Sequence, residues 1–149
     1  MALCSELPAA DRDRTAAAPP VVSTTPTGFV GEMFKAMKPY APPPPPGAQP
    51  PPLWGDEGHV RGLLGDRVTD VVARRQTLTV GGFATPEAWL DYWKSVYGPT
   101  IVAYRNVADD PERVAALDRD LTALATRFDR GTGTTIFDWE YLLLTARRV

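Results

Sequence analysis

The sequence predicts an α/β fold built around a sheet of only two or three strands. The last strand is the clearest signal, because residues 141–146 (YLLLTA) are almost uniformly apolar, a pattern typical of strands covered on both faces. Apolar residues also recur at helical spacing in several segments between residues 28 and 128. So few strands do not make a self-sufficient doubly wound sheet, and we therefore expect a partial one.

The composition excludes several classes of function. The 149 residues carry 16 Lys and Arg against 18 Asp and Glu, and the resulting net charge of −2 disfavours a nucleic-acid partner. Cys4 is the one cysteine, so the chain can form neither an internal disulfide nor a thiolate metal site. No apolar run is long enough to span a membrane, and the first residues lack the features of a secretory signal. We expect a cytoplasmic protein of one domain.

The first third of the chain is rich in proline. Residues 1–26 show no periodicity and predict a disordered or poorly packed segment, in which residues 21–25 (VVSTT) favour a short strand. Thr27 suits the N-cap of an amphipathic helix over residues 28–37. Residues 39–52 contain nine prolines and predict an extended polyproline II loop.

A short helix and a strand follow the proline-rich loop. Asp56 is a good N-cap for a helix that runs to Leu64, and Gly65 is a good C-terminal stop. Residues 68–80 predict a long strand from their β-branched content, and Gly81–Gly82 predicts a turn after it.

Two helical segments come next and are separated by a break. Thr85 suits an N-cap with Pro86 at the first helical position. Residues 98–99 (GP) interrupt the helix, which is predicted to resume over residues 100–107.

A third helix and the last strand complete the chain. Asp109 or Asp110 suits the N-cap, Pro111 the first position, and an apolar stripe continues to Phe128. A glycine-rich loop then leads to the last strand, predicted over residues 136–147.

Four phrases of the sequence point to one enzyme family. They are residues 27–34 (TGFVGEMF), 43–47 (PPPPG) with 52–55 (PLWG), 83–89 (FATPEAW) through 97–100 (YGPT), and 139–148 (WEYLLLTARR). In this order they resemble the stretch after the fifth strand, the following loop, a helical insertion and the last strand of the bacterial class I S-adenosylmethionine-dependent methyltransferases that act on small molecules. The resemblance covers residues 27–149.

The resemblance implies a partial Rossmann-like sheet, the last two or three strands of seven, with a helical insertion before the final strand. In that family the first half of the sheet holds S-adenosylmethionine, through a glycine-rich loop after the first strand and an acidic residue after the second. The back half covers the pocket for the methyl acceptor. The chain therefore resembles a truncated C-terminal portion.

The cofactor motif of that family has no counterpart in this sequence. Gly131–Thr132–Gly133 is the one G-x-G, and it follows a predicted helix and precedes a strand, the reverse of the required order. Gly81–Gly82 lacks a third glycine. We therefore assign no cofactor-binding residue, and expect that the chain alone neither binds S-adenosylmethionine well nor catalyses methyl transfer.

Aromatic residues are the candidates for an acceptor pocket. Trp89 and Trp93 share one helix face that Tyr97 extends, and Trp54 follows the proline run. Core packing explains the helical aromatics equally well, and a loop anchor explains Trp54. The predicted substrate-binding residues are Phe29, Trp54, Trp93, Tyr97 and Thr100.

No catalytic residue can be assigned from the sequence. His59 is the one histidine, and a helix-surface position explains it better than a general base does. Asp138 and Glu140 lie on one face of the last strand, opposite Trp139, where they could do acid–base work or simply meet solvent. No cluster of metal-ligating residues is present, so we predict no metal.

A second hypothesis belongs to a different class of function. If the sheet is partial, an open edge beside the strand that contains Leu142 and Leu144 would recruit another chain or a second copy. The protein would then be a non-catalytic binding or partner module. The partner in the first hypothesis is a small-molecule methyl acceptor.

Overall fold

A computed structural model describes residues 20–149, which form an α/β fold with a three-stranded antiparallel sheet and five α-helices. Predictions for residues 1–19 lie outside the described residues. The elements in chain order are β1 (Val21–Thr24), α1 (Phe29–Met37), a 3-10 turn (Pro51–Gly55), α2 (Glu57–Leu64), a second 3-10 turn (Gly65–Arg67), β2 (Val68–Phe83), α3 (Pro86–Val96), α4 (Gly98–Asn106), α5 (Pro111–Phe128) and β3 (Thr135–Arg148).

The last strand is the central strand of the sheet. The order is β1-β3-β2, and β3 pairs antiparallel with both neighbours, with Val21 opposite Leu144 and Leu78 opposite Trp139. The expected open edge beside Leu142 and Leu144 is therefore wrong. At residues 141–144 β3 is paired on both sides, and in the sheet of the described residues β1 and β2 are the edge strands.

Two apolar clusters cover opposite faces of β3. Phe137 belongs to the larger cluster, together with α1, α3, α4 and α5. On the other face, Leu142, Leu144 and Ala146 are buried with Val60 of α2. The sequence predicted that residues 141–146 are covered on both faces. Only the face of Leu142, Leu144 and Ala146 is fully covered, and Tyr141 and Leu143 on the other face are half-buried.

Local capping rules placed most helix starts correctly. The side chains of Asp56, Thr85 and Asp110 each accept a backbone hydrogen bond at the first turn of α2, α3 and α5. The predicted Thr27 cap is wrong: α1 has Gly28 at its N-cap, and the Gly28 N–H donates to Thr25 Oγ1 at 3.1 Å. The hydroxyl of Thr25, a buried residue, therefore takes the capping role that the sequence had assigned to Thr27.

Two glycine-containing boundaries differ from the prediction. Gly81 and Gly82 do not form a turn but continue β2 to Phe83, through an irregular register in which Gly82 has a φ of 101°. Gly82 is an extra residue in β2 without a partner in β3, and its positive φ allows the two strands to stay paired on both sides of it. Similarly, α4 begins at Gly98, with Pro99 in its first turn, so Tyr97 alone separates α3 from α4.

Candidate functional site

An aromatic ladder runs along one face of α3. Trp89 and Trp93 are one helical turn apart, and their rings stack at a centroid distance of 5.8 Å. The ring of Tyr97 stacks on Trp93 at 5.1 Å. Burial falls along the ladder, since Trp89 is buried and Trp93 and Tyr97 are half-buried. The ladder therefore leads from the core toward the surface.

Trp139 of β3 joins this ladder to the open face of the sheet. Its ring meets Trp93 edge to face at 5.3 Å and lies 6.3 Å from Phe29. It also lines a shallow, mainly apolar cavity of about 430 Å³ on the sheet. This cavity, called the sheet groove below, is lined by Val22, Ser23, Thr24, Leu78, Trp139, Tyr141 and Leu143.

Three indole groups in and beside the ladder have unpaired N–H donors. The Nε1–H groups of Trp93 and Trp139 are buried and have no acceptor among the described residues, and the same holds for the core residue Trp89. Buried donors usually find a partner, because leaving one unpaired is costly.

The five predicted substrate-binding residues fall into three groups. Phe29 and Thr100 expose 0% of their surface, so in this structure they pack the core and offer no surface to a ligand. Trp93 and Tyr97 lie in the ladder. Trp54 is 45% exposed on the 3-10 turn that packs against β1, away from the described ring–ring contacts.

Trp139 was missed as a candidate site residue by sequence reasoning. Its signal was present, because strand alternation places Trp139 on the face opposite Asp138 and Glu140. What the sequence did not show was the pairing with Leu78, which is 61 positions away and completes the groove.

Tyr97 and Tyr104 both have a raised pKa and are therefore neutral at physiological pH. Burial raises the pKa of the Tyr97 hydroxyl. Burial raises the pKa of Tyr104 further, together with a 2.6 Å hydrogen bond from its hydroxyl to Asp118 Oδ1. Lys94 Nζ lies 2.5 Å from the same carboxylate oxygen. The Lys94–Asp118–Tyr104 group thus fixes α3, α4 and α5 around the ladder and supplies no general base.

The two carboxylates of β3 have structural partners. Glu140 Oε1 accepts a hydrogen bond from Thr25 Oγ1 at 2.6 Å, and Arg75 Nη1 lies 3.4 Å away. Asp138 is held by Arg130 at 2.8 Å. The pairing of each carboxylate with an arginine explains both residues without acid–base catalysis.

Neither His59 nor any group of metal-ligating side chains forms a catalytic centre among residues 20–149. His59 is half-buried on α2, and its Nε2 has no partner in residues 20–149. Within the same residues no group of His, Cys, Asp and Glu side chains could hold a metal ion. No helix there is long and apolar enough to cross a membrane.

The Gly131–Thr132–Gly133 loop is closed by its own hydrogen bonds. Asp129 Oδ1 accepts from the backbone N–H groups of Ile136 at 2.9 Å and Gly131 at 2.8 Å. A Cβ atom on Gly131 would lie 1.6 Å from the Thr134 carbonyl oxygen. The loop joins α5 to β3 and its glycine is needed for this turn, so its residues do not fit a cofactor phosphate or carboxylate.

These hydrogen bonds predict a pH dependence of stability. The Ile136 N–H, with the Gly131 N–H, holds the pKa of Asp129 below its ordinary value. Because the folded pKa is lower, the unfolded chain binds the proton first as the pH falls, and the contribution present above the ordinary aspartate pKa is lost in acid. We expect Asp129→Asn to lower the melting temperature at pH 7 and to weaken its decline below about pH 4. Thermal melts between neutral and acid pH test this, and an unchanged acid decline would contradict it.

Relatives of known sequence match most of this chain. Uncharacterized protein Rv1403c of Mycobacterium tuberculosis (strain ATCC 25618 / H37Rv) is 44% identical over 124 residues, which are 83% of this chain and 44% of that protein. Uncharacterized protein Rv1405c of the same strain is 43% identical over 128 residues, or 86% of this chain and 46% of that protein. No family model matches. The chain spans a little under half the length of these relatives.

Proposed function

We propose that residues 27–149 form the acceptor-side part of a small-molecule methyltransferase. The observation that carries this proposal is the aromatic group formed by Trp93 and Tyr97 of the ladder with Trp139 of β3, in which Trp93 contacts both of the other rings and which reaches the surface just beyond the end of β1. Thr24, the last residue of β1, pairs with Tyr141, so Trp139 lies past the carboxyl end of that strand. In the larger, mostly parallel sheet that this proposal assumes, ligands bind at the carboxyl ends of the strands.

The order of the elements supports the proposal. The phrases that resemble the methyltransferase family fall on the start of α1, the proline-rich loop with its 3-10 turn, the α3–α4 pair and β3. The α3–α4 pair lies between β2 and α5, ahead of the final strand, where the resemblance would put a helical insertion. In a seven-stranded Rossmann-like sheet β1 would hold the fifth position, and the rest of the sheet would continue beyond its free edge.

The residues of this chain would bind and orient the acceptor. The flat faces of Trp93, Tyr97 and Trp139 suit a planar, largely apolar molecule. Methyl transfer between two bound molecules depends chiefly on holding them in line. The neutral Tyr97 hydroxyl could orient the acceptor through a hydrogen bond but would not remove a proton from it.

S-adenosylmethionine would supply the methyl group, but residues 20–149 do not fit it. They contain no strand, glycine-rich loop and helix in that order, since their G-x-G lies between α5 and β3. Cofactor binding would therefore belong to polypeptide outside residues 20–149, within a cytoplasmic protein. No step of the reaction is assigned to this chain's residues beyond acceptor binding.

The intact relatives test the reaction class. We expect full-length Rv1403c to bind S-adenosylmethionine with a micromolar dissociation constant in calorimetry. It should also transfer a labelled methyl group to a member of a panel of planar phenols and heteroaromatic amines. Failure of the intact relative to bind the cofactor would contradict the proposal.

A binding experiment on this chain tests the acceptor site. Planar heteroaromatic ligands should quench the fluorescence of Trp93 and Trp139, and Trp93→Ala should weaken binding about tenfold or more by removing one stacked face. Trp54→Ala is the matched control, because Trp54 is exposed outside the ladder. Equal affinity of the Trp93→Ala chain would show that the ladder is only a core.

A second candidate, a non-catalytic partner module, is favoured by one observation: β1 is a free edge of the sheet among the described residues. Size-exclusion chromatography with light scattering distinguishes self-association from a monomer. A stable monomer would contradict this candidate, whereas a mixed or associated species would support it.

A further inference from the structure

We propose that the proline run of residues 42–46 is a docking surface for a partner domain whose groove is lined by aromatic rings and has no acidic pocket. Extended proline segments are recognised by aromatic-lined grooves, because the flat apolar faces of the two kinds of ring fit together. The inference rests on the composition, shape and exposure of one loop, so it holds whether or not the reaction is methyl transfer.

The sequence restricts the first arm of this loop to polyproline II. Each residue from Ala41 to Pro45 precedes a proline, which disfavours the helical region, and every proline ring fixes its own φ near −65°. Residues 42–45 accordingly belong to no helix or strand. Polyproline II has three residues per turn, so Pro42 and Pro45 lie on one edge of the run, about 9 Å apart. Pro50, on the far side of the loop, has a φ of −58° and a ψ of 130°, close to the same conformation.

The loop is exposed and carries no charge. Every residue from 42 to 50 is exposed. No residue between Lys38 and Asp56 is charged, although surface loops are ordinarily polar. Core packing therefore does not explain the prolines at these positions, and the chain presents an apolar segment to its surroundings.

A tight turn makes the loop protrude. The Ala48 N–H donates to the Pro45 carbonyl oxygen at 3.0 Å across Pro46 and Gly47, and Gly47 has a φ of 79°. Proline followed by a glycine with positive φ is the arrangement of a type II turn. A Cβ atom on Gly47 would meet nothing within 4 Å, so the tip of the loop stands in open space. A connector that only spans a gap needs no such reversal.

Both ends of the loop are fixed to the body of the protein. The Tyr40 hydroxyl donates to Asp120 Oδ2 at 2.6 Å, and the Tyr40 carbonyl oxygen accepts from Asn106 Nδ2 at 2.9 Å. At the other end, the 3-10 turn packs so closely against β1 that Gly55 has no space for a Cβ atom. The protein thus presents a short, stiff proline segment, which loses little conformational freedom when a partner binds it.

The absence of charge specifies the chemistry of the partner. A groove that reads prolines offers aromatic rings for the proline rings and hydrogen-bond donors for the free carbonyl oxygens. A groove with an additional acidic pocket needs a Lys or Arg beside the prolines, and residues 39–55 contain neither. No ion pair would contribute to binding, so the affinity should be nearly independent of salt.

Domains that bind polyproline test the proposal on the whole chain. The probes are isolated domains of the WW, EVH1 and SH3 classes, and those that bind a free decaproline peptide are called readers below. Decaproline carries no side-chain charge, so a reader needs no cation in its ligand. We expect a reader to bind the chain with a dissociation constant of about 100 μM or lower. The affinity should change less than about twofold between about 50 and 500 mM salt.

A double variant locates the contact. Pro42→Ala combined with Pro45→Ala permits an extended backbone but removes both rings from one edge of the run, so it should weaken reader binding about tenfold or more. Both residues are exposed, and circular dichroism should show an intact fold. Pro50→Ala is the matched control, because Pro50 is an exposed proline of the same loop that lies beyond the turn.

Three results would overturn the proposal. One is the absence of binding between the chain and any reader, which would show that the run is not accessible as polyproline II. Another is reader binding that the double variant leaves unchanged or that Pro50→Ala weakens equally. The third is self-association of the chain that the double variant abolishes, which would assign the run to a second copy. S-adenosylmethionine enters none of these readouts, so failure here is distinct from failure of the methyltransferase proposal.

Discussion

Phe29→Ala is expected to lower the free energy of unfolding by about 3–5 kcal/mol, the range for removing a large aromatic side chain from a core. Phe29 is completely buried, and its ring stacks on Phe137 at 4.5 Å and meets Trp89 and Phe128 edge to face at 5.2 and 5.5 Å. It therefore joins α1, α3, α5 and β3 at one point. Urea denaturation followed by circular dichroism measures the loss.

Tyr92→Ala is the matched control for this prediction. Tyr92 is also aromatic but is 51% exposed on α3, so its removal should cost no more than about 1 kcal/mol. Similar losses for Phe29→Ala and Tyr92→Ala would show that the aromatic core is packed differently from this structure.

Gly55→Ala is expected to destabilise the fold by about 3 kcal/mol, at the upper end of the usual overpacking range. A Cβ atom on Gly55 would lie 2.0 Å from the Thr24 carbonyl oxygen and 2.7 Å from Thr25 Cα. Backbone atoms cannot move aside as a side chain can, so the 3-10 turn would lift from β1. Thermal unfolding monitored by circular dichroism measures the effect.

Gly62→Ala is the control and should change stability in the opposite direction. Gly62 lies in α2 with open space where a Cβ atom would stand, so alanine should stabilise the helix by about 0.5–1 kcal/mol. If both substitutions destabilise equally, the close approach of the 3-10 turn to β1 is not what distinguishes Gly55.

The sequence predicted local structure well where a short-range rule determines it. Asp56, Thr85 and Asp110 cap helices because each side chain reaches a backbone N–H two or three residues ahead. The α1 boundary was predicted less well because Thr25, a residue buried by tertiary packing, took the role expected of Thr27. Local helix-capping preferences do not show which residue tertiary packing will bring to the start of a helix.

The sheet order could not be predicted in the same way. An apolar run such as residues 142–144 indicates burial but not which strands lie beside it. The pairing of β3 with β1 and β2 joins residues more than 50 positions apart, such as Leu78 and Trp139. The sheet groove depends on that pairing. For this reason the sequence did not predict Trp139 as a site residue, whereas it did predict Phe29 and Thr100, which are core residues.

Isothermal titration calorimetry of S-adenosylmethionine against this 149-residue chain, beside intact Rv1403c, tests the central claim most directly. The claim is that this chain carries the acceptor side of a methyltransferase and that another polypeptide carries the cofactor site. We predict no measurable binding to the chain at cofactor concentrations up to about 1 mM, and micromolar binding to the intact relative. Micromolar binding to the chain alone, or none to the relative, would contradict the account.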